Sequence, residues 1–133
     1  MEEIRRTNHV FLRGSVGAPP QFSHENRGER FFRFPLEVRR LSGALDTVHI
    51  LARGALLEGL EPVEGLPKLC VTGEMRSFNN RSGVGPRLVI TVFAKELRFD
   101  DGTDENSVEL TGTLCKSPTH RSTPMGREIC DLM

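Results

Sequence analysis

The chain has no tryptophan and no tyrosine, so any aromatic stacking falls to its eight phenylalanines. It has no long apolar run either. Nothing approaches the roughly 18 consecutive apolar residues of a membrane-spanning helix, and the charged opening MEEIRRTNH does not read as a signal peptide. Cysteine is scarce: Cys70, Cys115 and Cys130 are odd in number and show no CxxC spacing. That pattern argues against a disulfide framework and fits free, buried thiols in a reducing cytoplasm. The four histidines, His9, His24, His49 and His120, are dispersed. They suggest no metal centre, and no cofactor is expected. No glycine-rich phosphate loop, paired carboxylates or Cys–His arrangement appears at a motif spacing, so no enzyme is expected.

Net charge is also lacking, since 18 basic residues meet 18 acidic ones. The balance conceals a polarity. Residues 1–99 hold 15 Lys and Arg against 11 Asp and Glu, whereas residues 100–133 hold 3 against 7. A polyanion would therefore sit on the first part. Fifteen of the 18 cations are arginine, which suits bidentate phosphate contacts and stacking, although a GC-rich genome yields the same bias.

What is present is alternation. In Arg30 to Arg40, RFFRFPLEVRR, one row holds Phe32, Phe34, Leu36 and Val38; the other holds Phe31, Arg33, Pro35, Glu37 and Arg39. A period of two predicts a strand with one buried face. The second row carries a ring and cations, which suits stacked bases and phosphates. The alternative is an ordinary half-exposed strand whose arginines block edge pairing. Similar alternation predicts strands at Asn8–Val16, Thr47–Arg53, Lys68–Phe78 and Arg87–Phe99, the last bent near Ala94. Phe32, Phe34, Leu36, Val71 and Ile90 are expected in the core. Gly14 and Gly73 fall on inward rows, where a missing side chain marks a tight bend. His24–Glu29, Leu41–Asp46 and Asn79–Pro86 read as turns or loops, and Ala55–Leu60 as a short helix.

Five strands with a short helix between the third and fourth predict an all-β, five-stranded OB-fold barrel over residues 1–99. An SH3-like barrel is the alternative. Residues 100–106 read as an acidic linker. Beyond them, Asn106-Ser-Val-Glu-Leu-Thr-Gly112 repeats Asn8-His-Val-Phe-Leu-Arg-Gly14 at an offset of 98, and Pro118, Gly126 and Ile129 keep that register with Pro20, Gly28 and Phe31. A gapless repeat of this kind indicates a tandem duplication. Residues 107–133 then supply the first hairpin of a truncated second barrel.

Several runs carry a family resemblance: Leu41-Ser-Gly43 with Asp46, GEMRSFNN at 73–80, RLVITVFAKEL at 87–97 and GTLCKSPTHRSTPMGREICDL at 112–132. With these the chain resembles the tandem OB-fold single-stranded DNA-binding proteins of the clostridial type. The last run also resembles primosomal replication protein N in Gly112, Cys115, Pro118, Pro124, Gly126 and Cys130. His120 and Met125 depart from the aromatic residues usual there. The resemblance implies non-sequence-specific binding of single-stranded DNA, with RNA also accommodated, in replication, recombination or repair. It further implies homo-oligomers and replication or repair proteins as partners, with no membrane role. The other reading of the chain is a protein-interaction or primosome-type adaptor barrel without strong nucleic-acid binding.

Resemblance and alternation together nominate Phe11, Arg13, Phe31, Arg33, Arg39, His49 and Arg53 on adjacent strands. Arg76, Phe78, Asn79, Arg81 and Arg87 join them from the fourth strand and its loop. Each has a plainer alternative. Phe11 and Phe31 suit an oligomer interface equally, Phe78 suits loop packing, and His49 suits an ordinary surface position.

Overall fold

The computed structural model describes residues 7–85 and 87–133. They form nine strands and one short helix: β1 (Thr7–Val16), β2 (Gln21–Asn26), β3 (Glu29–Arg39), β4 (Leu45–Arg53), α1 (Gly54–Glu58), β5 (Lys68–Asn79), β6 (Leu88–Asp100), β7 (Glu105–Thr111), β8 (Thr119–Ser122) and β9 (Glu128–Asp131). Packing divides the chain into a unit spanning Asn8–Glu109 and a second that holds Leu110–Met133.

In the first unit β1 pairs antiparallel with β5, β5 with β6, and β3 with β4, while β4 and β6 run parallel through Ile50–Val92 and Leu51–Phe93. The ring closes where β1 leaves β5 and pairs with β3 at Ser15–Glu37 and Val16–Leu36. A five-stranded barrel closed in this order, with the helix between its third and fourth strands, is the OB-fold.

Two inward glycines make the closure possible. A Cβ on Gly14 would strike the carbonyl oxygen of Glu37, and one on Gly73 would strike that of Phe93. Only a residue without a side chain lets these strands cross so closely. Beside Gly73 the register shifts, from Thr72–Glu96 to Gly73–Ala94, which leaves Lys95 as an extra residue. This bulge supplies the bend expected near Ala94. Asn8 finishes the β1 edge, its amide donating to the Met75 carbonyl and accepting from the Met75 N–H, both at 2.8 Å.

Val10, Leu12, Phe34, Leu36, Val38, Ile50, Ala52, Leu69, Val71, Val92 and Ala94 form the core, as alternation predicts for most of them. Several expectations need correction. Residues 24–29 are not simply a turn. His24 to Asn26 belong to β2, and the chain reverses at Arg27 and Gly28, both at positive φ, in the geometry that suits two-residue hairpins. Phe32 is only half-buried: it lies at the barrel end against Gly54, with Phe22 edge-on at 5.9 Å. Ile90 is 53% exposed because the β5–β6 hairpin projects beyond the barrel wall. Phe31, expected outward, is buried beneath β2. Cys70 is buried, but Cys115 and Cys130 are exposed.

The internal repeat has a structural counterpart. β8 and β9 fall 98 residues after parts of β2 and β3, and Gly126 matches Gly28 with φ of 82° against 79°. β8 pairs antiparallel with β9, from Thr119–Asp131 to Ser122–Glu128. Residues 100–106, which read as a linker, carry side chains bound to the barrel. Lys68 reaches Asp104 at 2.8 Å, and the Asp104 carboxylate also accepts the Arg39 backbone N–H at 2.8 Å.

Replacing Phe34 by Ala would leave a cavity that this small core is poorly able to refill. Denaturant unfolding of Phe34→Ala should show a loss of about 3–5 kcal/mol. An unchanged midpoint would contradict the assignment of its row to the core.

Candidate nucleic-acid interface

The outer face of the barrel is assembled by cross-strand register. Antiparallel pairing sets Phe31 opposite Arg53 and Arg33 opposite Leu51. The parallel pair sets Leu51 beside Phe93. On the far side, Phe93, Thr91 and Val89 face Glu74, Arg76 and Phe78. Residues directly opposite in register share a face, so four strands contribute to one surface. β2 adds His24, stacked on Phe31 with ring centroids 4.7 Å apart and planes 7° from parallel.

A groove of about 630 Å³ runs along this face, walled by His24, Arg33, Leu51, Arg76, Phe78 and Thr91 among others. Next to it, beneath Arg53 and Arg76, lies Phe93, only 3% exposed. Its ring centroid is 6.3 Å from that of Phe31, 5.0 Å from the Arg53 guanidinium and 4.1 Å from that of Arg76. Arg53 is held by Glu29 at 2.7 Å and Arg76 by Glu74 at 2.6 Å. Glu74 also meets Lys95 at 3.4 Å, and the hydrogen bonds from Arg76 and then Lys95 hold its carboxyl below the ordinary range. Arg33 is exposed and has no ion pair among the described residues.

A second groove, about 530 Å³, follows the β5–β6 loop past Asn79, Arg81 and Arg87. Asn80 shapes this loop, donating to the Val84 carbonyl at 2.7 Å and accepting from the Ser82 hydroxyl at 2.7 Å. Gly83 and Gly85 supply its positive φ angles. Cations beside accessible rings along an open groove are the chemistry that accepts a flexible polyanion with planar bases.

The N-terminal domain of the PriB protein from Thermoanaerobacter tencongensis, solved as a dimer, is 39% identical to the chain. The match covers 69% of this chain and 94% of that one, with a TM-score of 0.57. The chain belongs to the family of the PriB N-terminal domain. The single-stranded DNA binding protein of Thermus aquaticus shares the fold. Its wild-type structure is 23% identical, with a TM-score of 0.74 and coverage of 96% of this chain and 67% of that one. A deletion mutant of the same protein is 22% identical, with a TM-score of 0.71 and coverage of 96% and 68%. No family model matches the chain, and no curated protein does.

In this PriB-type barrel the nominated residues separate into groups. Arg33, Arg76 and Phe78 line the main groove. Phe31 and Arg53 adjoin it through Phe93, and Asn79, Arg81 and Arg87 continue it along the loop. His49 borders a different groove of about 320 Å³ with Met75 and Ile90. Arg39 sits by Lys68 and Asp104 along another surface groove, its guanidinium donating to the Gly43 carbonyl at 3.0 Å. Phe11 and Arg13 lie opposite Thr72 and Cys70 on the β1–β5 side. There Arg13 rests over the Phe11 ring at 5.4 Å and is tied to Asp100 at 3.3 Å and Glu105 at 3.2 Å.

Phe93, Leu51, Thr91 and His24 are absent from the sequence nominations. Carrying the alternation through RLVITVFAKEL places Val89, Thr91 and Phe93 in one row, which is a usable signal. His24 offered none, because its stretch carries turn chemistry.

Asp100 gives this family member a testable acid response. The backbone N–H of Gly102, followed by Arg98, holds its carboxyl down to about 2, with Arg13 assisting against the opposing effect of burial. A carboxylate favoured by the fold stabilises fully above its unfolded value of about 3.9, and that contribution fades as the pH falls through the folded value. Wild-type stability should therefore decline from about pH 4 toward pH 2, and Asp100→Asn should flatten that part of the curve. Equal slopes for the two proteins would remove Asp100 from the account.

Proposed function

We propose that the barrel binds single-stranded DNA with little sequence preference, laying the strand along the outer groove and the β5–β6 loop. The observation that carries this is the meeting of Arg33, Arg76 and Phe78 in one open groove. Rings offer every base the same π-face, and guanidinium groups take phosphates whatever the sequence. The family supports the reading, as does the name of the Thermus aquaticus protein that shares the fold. RNA also offers planar bases and phosphates, so the same groove could accommodate it.

Under this reading Arg33, Arg53, Arg76, Arg81 and Arg87 contact phosphates, and Phe78 stacks on a base. Phe31 supports the face from beneath His24. Phe11, Arg13, Arg39 and His49 lie outside the main strand path. The dimer described for the related PriB domain supports a homo-oligomer here, for which Phe11, half-buried on β1, is a candidate contact. Replication or repair proteins are the expected partners, and the chain is assigned no catalytic step.

Titrating labelled oligo-dT and oligo-dC at several salt concentrations tests the proposal. Arg33→Ala combined with Arg53→Ala should weaken both ligands alike and flatten the log affinity–log salt slope by about 0.7 per lost phosphate contact. Wild-type affinity and slope in the double variant would place the strand on another face. Failure of the wild type to bind oligo-dT at low salt would favour the protein-interaction barrel instead.

A further inference from the structure

The two arginines over Phe93 present an unusual arrangement for a strand-binding groove. Both are already occupied on both sides. Each guanidinium lies over the Phe93 ring, 5.0 Å away for Arg53 and 4.1 Å for Arg76. Each also meets a carboxylate: Arg53 Nε forms an ion pair with Glu29 Oε1 at 2.7 Å, and Arg76 Nε and Nη2 donate to Glu74 Oε1 at 2.9 and 2.6 Å. Phe93 is consequently hidden although it stands on the outer row, between Leu51 and Glu74. Beside it on the same face is the Phe31 ring, centroid 6.3 Å away and tilted by 42°, itself stacked on His24. Phe93 is thus a flat ring with a second ring beside it and two long, mobile-ended side chains lying over it.

The covering is weakly fastened. Arg53 and Glu29 are 47% and 45% exposed, and Arg76 is 53% exposed against a half-buried Glu74 at 23%. The Arg53–Glu29 pair, exposed at both ends, contributes little because each partner is well solvated apart, and the Arg76 end of the other pair is open to solvent. A phosphate takes a guanidinium by the same charge-assisted, bidentate hydrogen bonds as a carboxylate, and Glu74 already divides its carboxylate between Arg76 and Lys95. Moving either arginine to a phosphate removes its cover from the ring.

We infer that Phe93 is a latent base-stacking site, closed by the Glu29–Arg53 and Glu74–Arg76 pairs and opened when strand phosphates take the two arginines. The inference rests on the single-strand reading above. Glu29 and Glu74 then act as resident competitors for the strand, and they set the affinity below what the cations alone would give. The ligand class is a single-stranded oligonucleotide, one of whose bases comes to lie on Phe93 while the flanking phosphates hold Arg53 and Arg76.

Two measurements on the full chain test this with oligo-dT as the probe. Glu29→Gln combined with Glu74→Gln keeps the shape of one exposed and one half-buried side chain while removing their charge, and it should tighten binding about 2- to 30-fold, the range set by losing two ion pairs of about 0.2–1 kcal/mol each. Because the chain has no Trp or Tyr, Phe93→Trp introduces a single emitter at the proposed platform. Its fluorescence should be quenched as oligo-dT saturates. Should Phe93→Trp fail to fold, Phe93→Leu serves in its place, and should weaken oligo-dT binding while keeping the wild-type salt slope. Unchanged affinity in the double Gln variant, with wild-type binding intact, overturns the competitor role. Silent Trp emission at saturation, or wild-type affinity in Phe93→Leu, overturns the stacking site. If the wild type binds no oligo-dT, the single-strand reading itself falls and takes this inference with it.

Discussion

Two crossings of bare backbone hold the architecture together. At Gly14 the first strand passes over the Glu37 carbonyl, and at Gly73 the fifth passes over that of Phe93. Neither crossing leaves room for a Cβ. The first lets β1 turn from β5 to β3 and so close the ring. The second sits beside the Lys95 bulge, which bends β6 and sets which of its residues face outward. An open sheet of the same strands would leave its core row exposed at both edges.

The candidate face follows from that closure. Once β4 and β6 lie parallel, Leu51 and Phe93 are neighbours, and arginines from β4 and β5 converge over one ring. The same geometry brings Glu29 and Glu74 to those arginines, so the groove is less cationic than its composition implies. Arg33 stays exposed nearby, and the loop arginines are spread along a turn shaped by Asn80. The face therefore combines an open cation with two already paired to carboxylates.

Acidic residues at the end of β6 and just beyond it fulfil a structural role in the barrel. Asp100, Asp104 and Glu105 neutralise Arg13 and Lys68 and receive a backbone N–H of Arg39. The negative balance of residues 100–133 is thus partly spent on the barrel itself. Cations that look equivalent in composition separate into those bound by the fold and those facing the groove.

The sequence by itself determined the inward rows of the principal strands, the place of the short helix, the two corner glycines and the repeat at an offset of 98. Each depends on local periodicity or self-similarity, which a linear string carries in full. Phe34, Leu36 and Val71 were legible for that reason, as were Arg33, Arg76 and Phe78 as outward residues. Tertiary structure alone decided that Phe31 is buried, that Ile90 is exposed and that Arg13 belongs to Asp100. Those outcomes depend on a strand laid across the face, on a hairpin reaching past the barrel and on charges 87 residues apart meeting. Alternation says on which side of its strand a residue stands. What covers that side is set by partners distant in the chain, and for Phe93 those partners are two arginines and their glutamates.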